Sequence, residues 1–208
     1  MIAGVLRALP DLASAALFVA LWIEPQRFGI EWFRAGVYAL LLEFFVLHAG
    51  GFLAVVVNDP QDAPRKRALW AGGLGAGYLL FVALIAYSLD AAWMIAAFVW
   101  FGFSKVQGAW SATPTERDRF HAIAGWAMGV VLYLGTVVAT VSFDIPELGA
   151  TAALREAAGF DPKGGVWEAE PQRALAGAAI YFALTGIGRA ILARAFAREA
   201  TAKATSAP

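Results

Sequence analysis

The chain has 208 residues, 60% of them hydrophobic and only 15% charged, and its mean hydropathy is +0.63. Soluble domains hold nearer half apolar and a quarter charged residues, so this composition excludes an ordinary water-soluble globule and fits a membrane protein. Sixteen Lys and Arg balance sixteen Asp and Glu, leaving no basic excess to hold nucleic acid, and the absence of cysteine excludes disulfides and thiolate chemistry.

The fold class expected is all-α: a polytopic membrane helix bundle with six transmembrane helices, or five if the first segment does not span. A crossing takes about 20 largely apolar residues. The first stretch, 3–23, contains Pro10, which predicts a kink, and Arg7 and Asp11, which shorten its apolar part. Those interruptions, with no small-x-small cleavage site before Glu24-Pro25, make it a retained span rather than a signal peptide. The second span, 32–57, ends at Asn58-Asp59-Pro60. Residues 68–108 are apolar for about twice a crossing and must turn once, at Ser88-Leu89-Asp90, with Asp90 as N-cap of the fourth helix. Thr113 is the expected N-cap of the fifth, with Pro114 at its first position, a wet turn over 116–119 and an apolar part over 120–143. The last span, 174–192, carries Arg189 near its end, where the side chain is expected to snorkel to the headgroups. Trp22, Trp32, Trp70, Trp93 and Trp110 fall near span ends, as an interfacial belt requires.

Residues 1–193 read as one transmembrane domain, and 194–208 as a disordered cytoplasmic tail. Lys and Arg set the orientation. Arg65, Lys66 and Arg67, then Lys105, Arg117 and Arg119, then Arg194, Arg198 and Lys203 fall on one side, which places both termini in the cytoplasm. The loop 144–172 lies opposite and is acidic, with Asp144, Glu147, Glu156, Asp161, Glu168 and Glu170. A short helix is expected over 146–158, started by Asp144 or Pro146 and stopped by Gly159, followed by turn chemistry over 160–165. This loop is read either as a cap lying on the membrane surface or as an acidic docking surface.

Glu43 and His48 sit inside the second span. Ionisable groups at that depth cost roughly 2.5–3.5 kcal/mol on insertion scales, so they face a bundle interior and have partners. Five residues apart, they project about 140° from one another and do not form a two-ligand site on this helix alone. By depth, Tyr78 of the third span is level with His48, and Ser104, Lys105 and Gln107 of the fourth approach the same layer. Glu43, His48, Tyr78, Lys105 and Gln107 are therefore the candidate intramembrane polar or ligand site. Each has a plain structural reading beside the functional one: a neutral imidazole donating one interhelical bond, a protonated carboxyl doing likewise, a snorkelling lysine. Tyr133, Thr136, Tyr181 and Thr185 add hydroxyls in the fifth and sixth spans.

Ala49, Gly50 and Gly51 leave room beside His48 for a haem or chlorophyll macrocycle, but His121 lies at the membrane edge, which disfavours a bis-His haem. No Glu-x-x-His pairs and no hydrolase, P-loop, zincin or dinucleotide fingerprint occur, so no catalytic or metal-ligating residue is assigned and no cofactor is identified. Gly73-x-x-x-Gly77 and Gly125-x-x-x-Gly129 predict close helix approach. The stretch Glu43-Phe44-Phe45-x-x-His48-x-Gly50-Gly51-Phe52 resembles small bacterial membrane proteins without specifying a family, which implies the bacterial inner membrane. The function expected is a small integral membrane subunit, more a binding than a catalytic protein, packing against other membrane proteins and lipids and holding a lipid, quinone or pigment. The alternatives are a proton-linked transporter using Glu43 and His48, or a membrane enzyme on a lipid-soluble substrate.

Overall fold

The computed structural model describes residues 2–111 and 114–206, with side chains described for 8–110 and 114–191. Its elements are helices α1 (Ile2–Ile23), α2 (Ile30–Val57), α3 (Pro64–Ser88), α4 (Trp93–Ser111), α5 (Glu116–Ser142), α6 (Ala152–Ala157), α7 (Val166–Ala169) and α8 (Pro171–Ser206), with one 3-10 turn at Pro25–Arg27. Among the described residues there is no strand. Four helices are long and apolar enough to cross a membrane: Ile30–Val57, Pro64–Ser88, Glu116–Ser142 and Pro171–Ile191. In α3 and α5 only 17% of the apolar stretch is buried within the protein, so most of its greasy surface needs lipid rather than water around it. The expected count of six is met by four on this standard. The described apolar part of α1, Ala8–Ile23, is short of a crossing. In α4, Ser104, Lys105 and Gln107 dilute the last turns.

The chain divides into two compact units. One comprises Met1–Val37 and Leu132–Pro208. In it α1 packs along α8, where small residues permit close approach. A Cβ on Gly186 would stand 3.0 Å from Leu12 and 3.2 Å from the Cβ of Asp11. Phe18 stacks on Phe182 with ring centres 5.5 Å apart. Asp11 is buried, and both its carboxylate oxygens accept from Arg189 Nη1, at 3.0 and 2.8 Å. Arg189 is therefore held by a carboxylate on α1, where the sequence pointed to the headgroups, because a buried charge needs its counter-charge more than a lone arginine needs water.

The loop that follows α5 is built onto the end of α1. Trp22 Nε1 donates to Pro146 O at 2.9 Å, and Gly149 N donates to Trp22 O at 3.1 Å. Leu148 takes a positive φ of 48°, which breaks any helix there. The expected helix over 146–158 thus begins only at Ala152, with Thr151 as N-cap accepting from Leu154 N, and stops at Gly159 as expected. Arg173, at the start of α8, donates through Nη1 to Thr140 O at 2.6 Å, Val141 O at 3.1 Å and Phe143 O at 2.8 Å. It thereby closes the unsatisfied C-terminal carbonyls of α5. At the other end, α8 runs to Ser206 through an alanine-rich stretch with Arg, Glu and Lys, residues that form helix readily.

The second unit is Tyr38–Val131, in which α3 and α4 pack as a hairpin. Asp90 does not cap α4. It adopts φ 50° just past the C-cap of α3, and Ala91 N reaches back to Ala86 O at 2.8 Å, the six-to-one bond of a Schellman ending. A short polar residue tolerates this left-handed geometry, so the same Asp serves the end of one helix instead of the start of the next. Residue Thr113, expected to cap α5, lies outside the described residues. Thr115 does the capping: its Oγ1 accepts from Asp118 N at 3.2 Å, and its own N–H donates to Asp118 Oδ2 at 2.9 Å. This is a capping box with Pro114 ahead of it. Thr115→Ala should cost about 1 kcal/mol of unfolding free energy, read by chemical denaturation in micelles, and unchanged stability would mean that Thr115 does not cap α5.

Arg67 is 3% exposed and gathers the 58–63 turn. Its Nη1 donates to Asp62 O at 2.6 Å and Asp59 O at 3.2 Å, and its Nη2 to Ala109 O at 3.3 Å near the end of α4. Arg119 approaches Asp59 at 3.9 Å.

Candidate functional site

Helical spacing places Phe44, His48 and Phe52 at i, i+4 and i+8, on one face of α2. The His48 ring lies parallel to Phe44, centres 5.9 Å apart, and edge-on to Phe52 at 5.6 Å. From α3, the Tyr78 hydroxyl meets His48 Nδ1 at 2.8 Å, the two rings standing nearly perpendicular. Phe44, His48 and Tyr78 line an open cleft of about 630 Å³ whose other walls are Phe45, Trp70, Leu74 and Phe81. Gly73 and Gly77 form part of its α3 side, and a Cβ at either would meet nothing within 4 Å. These glycines were expected to draw helices together; here they leave open space beside the His–Tyr pair. A Cβ on Gly125, of the second glycine pair, likewise meets nothing within 4 Å.

Gly50 and Gly51 serve another purpose than making room for a macrocycle. Trp126 of α5 lies against them and donates from Nε1 to Leu47 O at 2.8 Å, and a Cβ on Gly51 would stand 2.5 Å from the indole. Ala49 is fully buried. The small residues next to His48 in sequence are therefore covered by the protein, and the free space near the imidazole comes from α3.

Of the five residues singled out from the sequence, His48 and Tyr78 are joined directly. Glu43 is half-buried on α2, Lys105 is half-buried on α4 with its Nζ 5.4 Å from the Phe101 ring centre, and Gln107 is exposed on α4. None of these three lines the cleft. In the other unit, Tyr133 and Tyr181 meet edge to face, with centres 5.7 Å apart, and Thr136 and Thr185 are buried. The aromatic wall was missed in the sequence, although its signal was present in the four-residue spacing of Phe44, His48 and Phe52 and in Trp70-x-x-Gly73-x-x-x-Gly77-Tyr78-x-x-Phe81.

The tautomer follows from relative basicity. A phenol is a good donor and a poor acceptor, whereas a neutral imidazole nitrogen is a good acceptor, so the favoured bond runs from Tyr78 O–H to His48 Nδ1. The ring proton then sits on Nε2, which has no partner among the described residues. The cleft thus offers the imidazole N–H as a donor in a largely apolar, aromatic space. A metal ligand would need the opposite tautomer, with Nδ1–H donating to the weak phenol acceptor in place of the carboxylate or carbonyl that usually orients such a histidine.

Among the described residues no group of three or more His, Asp and Glu side chains is placed to hold a metal ion. Comparison with protein-family models, with curated proteins and with solved structures gave no match to this chain. Among the described residues the protein is all-helical, with four helices fit to cross a membrane and a donor-bearing aromatic cleft on α2 and α3.

Proposed function

We propose that the chain is a small, non-catalytic integral membrane subunit that packs against other membrane proteins and holds a lipid-soluble, carbonyl-bearing ring of the quinone class between α2 and α3. The observation that carries this reading is the His48–Tyr78 bond in the wall of an aromatic cleft, which leaves Nε2–H as a donor in largely apolar surroundings. Ligand sites of this kind are mostly apolar with a few placed polar groups. A flat ring fits against the open glycine face, and its carbonyl oxygen accepts from Nε2. The aromatic walls outweigh any polar contact in affinity, and the imidazole N–H sets orientation.

In this reading α1 and α4 cross the membrane with the other four helices. The 19 residues of α4 extend about 28 Å at 1.5 Å per residue, close to the hydrocarbon thickness. Arg65, Lys66, Lys105, Arg117 and Arg119 then mark the cytoplasmic side of a bacterial inner membrane, with both termini on that side. Glu43, Lys105 and Gln107 lie outside the ligand cleft in this reading and serve interhelical bonding.

The test is binding of a short-chain benzoquinone to the full chain in maltoside micelles, compared with a naphthalene of similar size that has no carbonyl. His48→Phe, which keeps the aromatic wall, should weaken quinone binding about tenfold and leave the naphthalene unaffected. Tyr78→Phe should weaken it less, since it frees the imidazole to turn. Equal quinone affinity in the wild-type and His48→Phe chains would end this assignment. A lone, monodisperse chain after mild extraction from its native membrane would end the subunit part.

A further inference from the structure

A second pocket, of about 490 Å³, opens where α5 ends and α8 begins, and its chemistry is the reverse of the cleft's. Gln172 lines it while being only 7% exposed, and its side-chain amide has no hydrogen-bond partner among the described residues. The residue is buried but its amide finds no partner among those residues, so its polar atoms are open to the pocket, where a ligand can satisfy them. Asp144 and Glu147 line the same space with exposed carboxylates that pair with no described residue. Arg155 and Arg173 line it too, each with its Nη1 already spent on backbone, at Ala169 O for the first and at the end of α5 for the second. Their Nη2 groups bond no described residue, while Glu170 takes the Nε of Arg173.

The unspent capacity is therefore two guanidinium edges, two carboxylates and one amide. We propose that this pocket binds a phosphoethanolamine zwitterion. The phosphate lies across the two Nη2 groups, as forked donors favour. The primary ammonium donates to Asp144, Glu147 and the Gln172 carbonyl oxygen. A simple cation would leave the arginine edges unused, and a simple anion would face two carboxylates. A quaternary ammonium has no N–H for these acceptors. The pocket lies just beyond Phe143, where the apolar part of α5 stops, so the phosphate of a lipid headgroup is the anion at hand, and the free solute carries the same chemistry.

Two arms separate the sources. The full chain in maltoside micelles is titrated calorimetrically with phosphoethanolamine and with phosphocholine. In parallel, the chain in nanodiscs of mixed ethanolamine and choline phospholipids is analysed by native mass spectrometry for retained lipid. Saturable binding of the ethanolamine form in either arm, at least about tenfold over choline, is expected; the arm that responds identifies lipid or solute. The double variant Asp144→Asn, Glu147→Gln alters exposed side chains only and should abolish the preference, and Gln172→Leu should weaken binding about tenfold. Equal binding of the two headgroups, no saturable binding in either arm, or an undiminished preference in the double variant would each overturn the proposal.

Discussion

Gly51→Ala should lower the unfolding free energy by about 2–3 kcal/mol, whereas Gly50→Ala, one residue earlier, should be neutral or slightly stabilising. The contrast comes from Trp126. A Cβ on Gly51 would stand 2.5, 2.7 and 2.8 Å from Cε2, Cζ2 and Nε1 of the indole, but one on Gly50 only reaches 4.0 Å from Cδ1. The indole is not free to swing away, because Nε1 donates to Leu47 O at 2.8 Å. Retreat breaks that bond, and staying forces overlap of rigid groups. Helix propensity alone favours alanine over glycine by about 1 kcal/mol, so it predicts the opposite sign. Thermal or denaturant unfolding in micelles of both variants decides the matter. A Gly51→Ala chain as stable as the parent would mean that Trp126 does not pack against Gly51. Quinone binding in the same variant should also weaken, since Leu47 immediately precedes His48 on the turn that Trp126 holds.

The long apolar stretches were readable because period and length are local properties of the chain. So was the depth match of His48 with Tyr78, which needed only the rise per residue and the positions of the polar gaps. What escaped were features decided by pairs distant in sequence. Gly50 and Gly51 looked like room for a ligand because nothing local shows that Trp126 arrives from α5 to cover them. Gly73 and Gly77 looked like a packing seam, but a glycine face says only that something can approach, not that a helix does. Asp90 has the chemistry of both an N-cap and a left-handed helix ending, and the bond from Ala91 to Ala86 decides between them. The helix expected from residue 146 was cut short by the hold of Trp22 on the loop, a contact across 124 residues. Gln172 gave no signal at all, since a polar residue near a loop reads as exposed until burial is seen.

Arg67→Met should destabilise the protein by about 3 kcal/mol, with Arg67→Lys recovering only part of the loss. In the sequence this residue is one of three cations in a row, Arg65, Lys66 and Arg67, all counted toward orientation. In the structure Arg65 and Lys66 are exposed, while Arg67 is buried and satisfies three carbonyl oxygens. Two belong to the turn leading into α3, and the third, Ala109 O, is in the last turn of α4, where carbonyls lack intrahelical donors and the helix dipole is negative. Methionine preserves much of the apolar stem but leaves those acceptors without a donor, each worth about 1–3 kcal/mol when water cannot reach it. Lysine keeps the charge as a single point and cannot span the turn and the helix end at once. Arg65→Met removes the same formal charge from the same segment and should shift stability by less than about 0.5 kcal/mol, as expected of an exposed site. Unfolding of the three variants, measured alongside a reporter of loop sidedness, separates the clamp from the orientation signal. If Arg65→Met and Arg67→Met lose stability equally, the loss belongs to charge in the loop and the buried clamp is not what holds the α3–α4 hairpin to its turn.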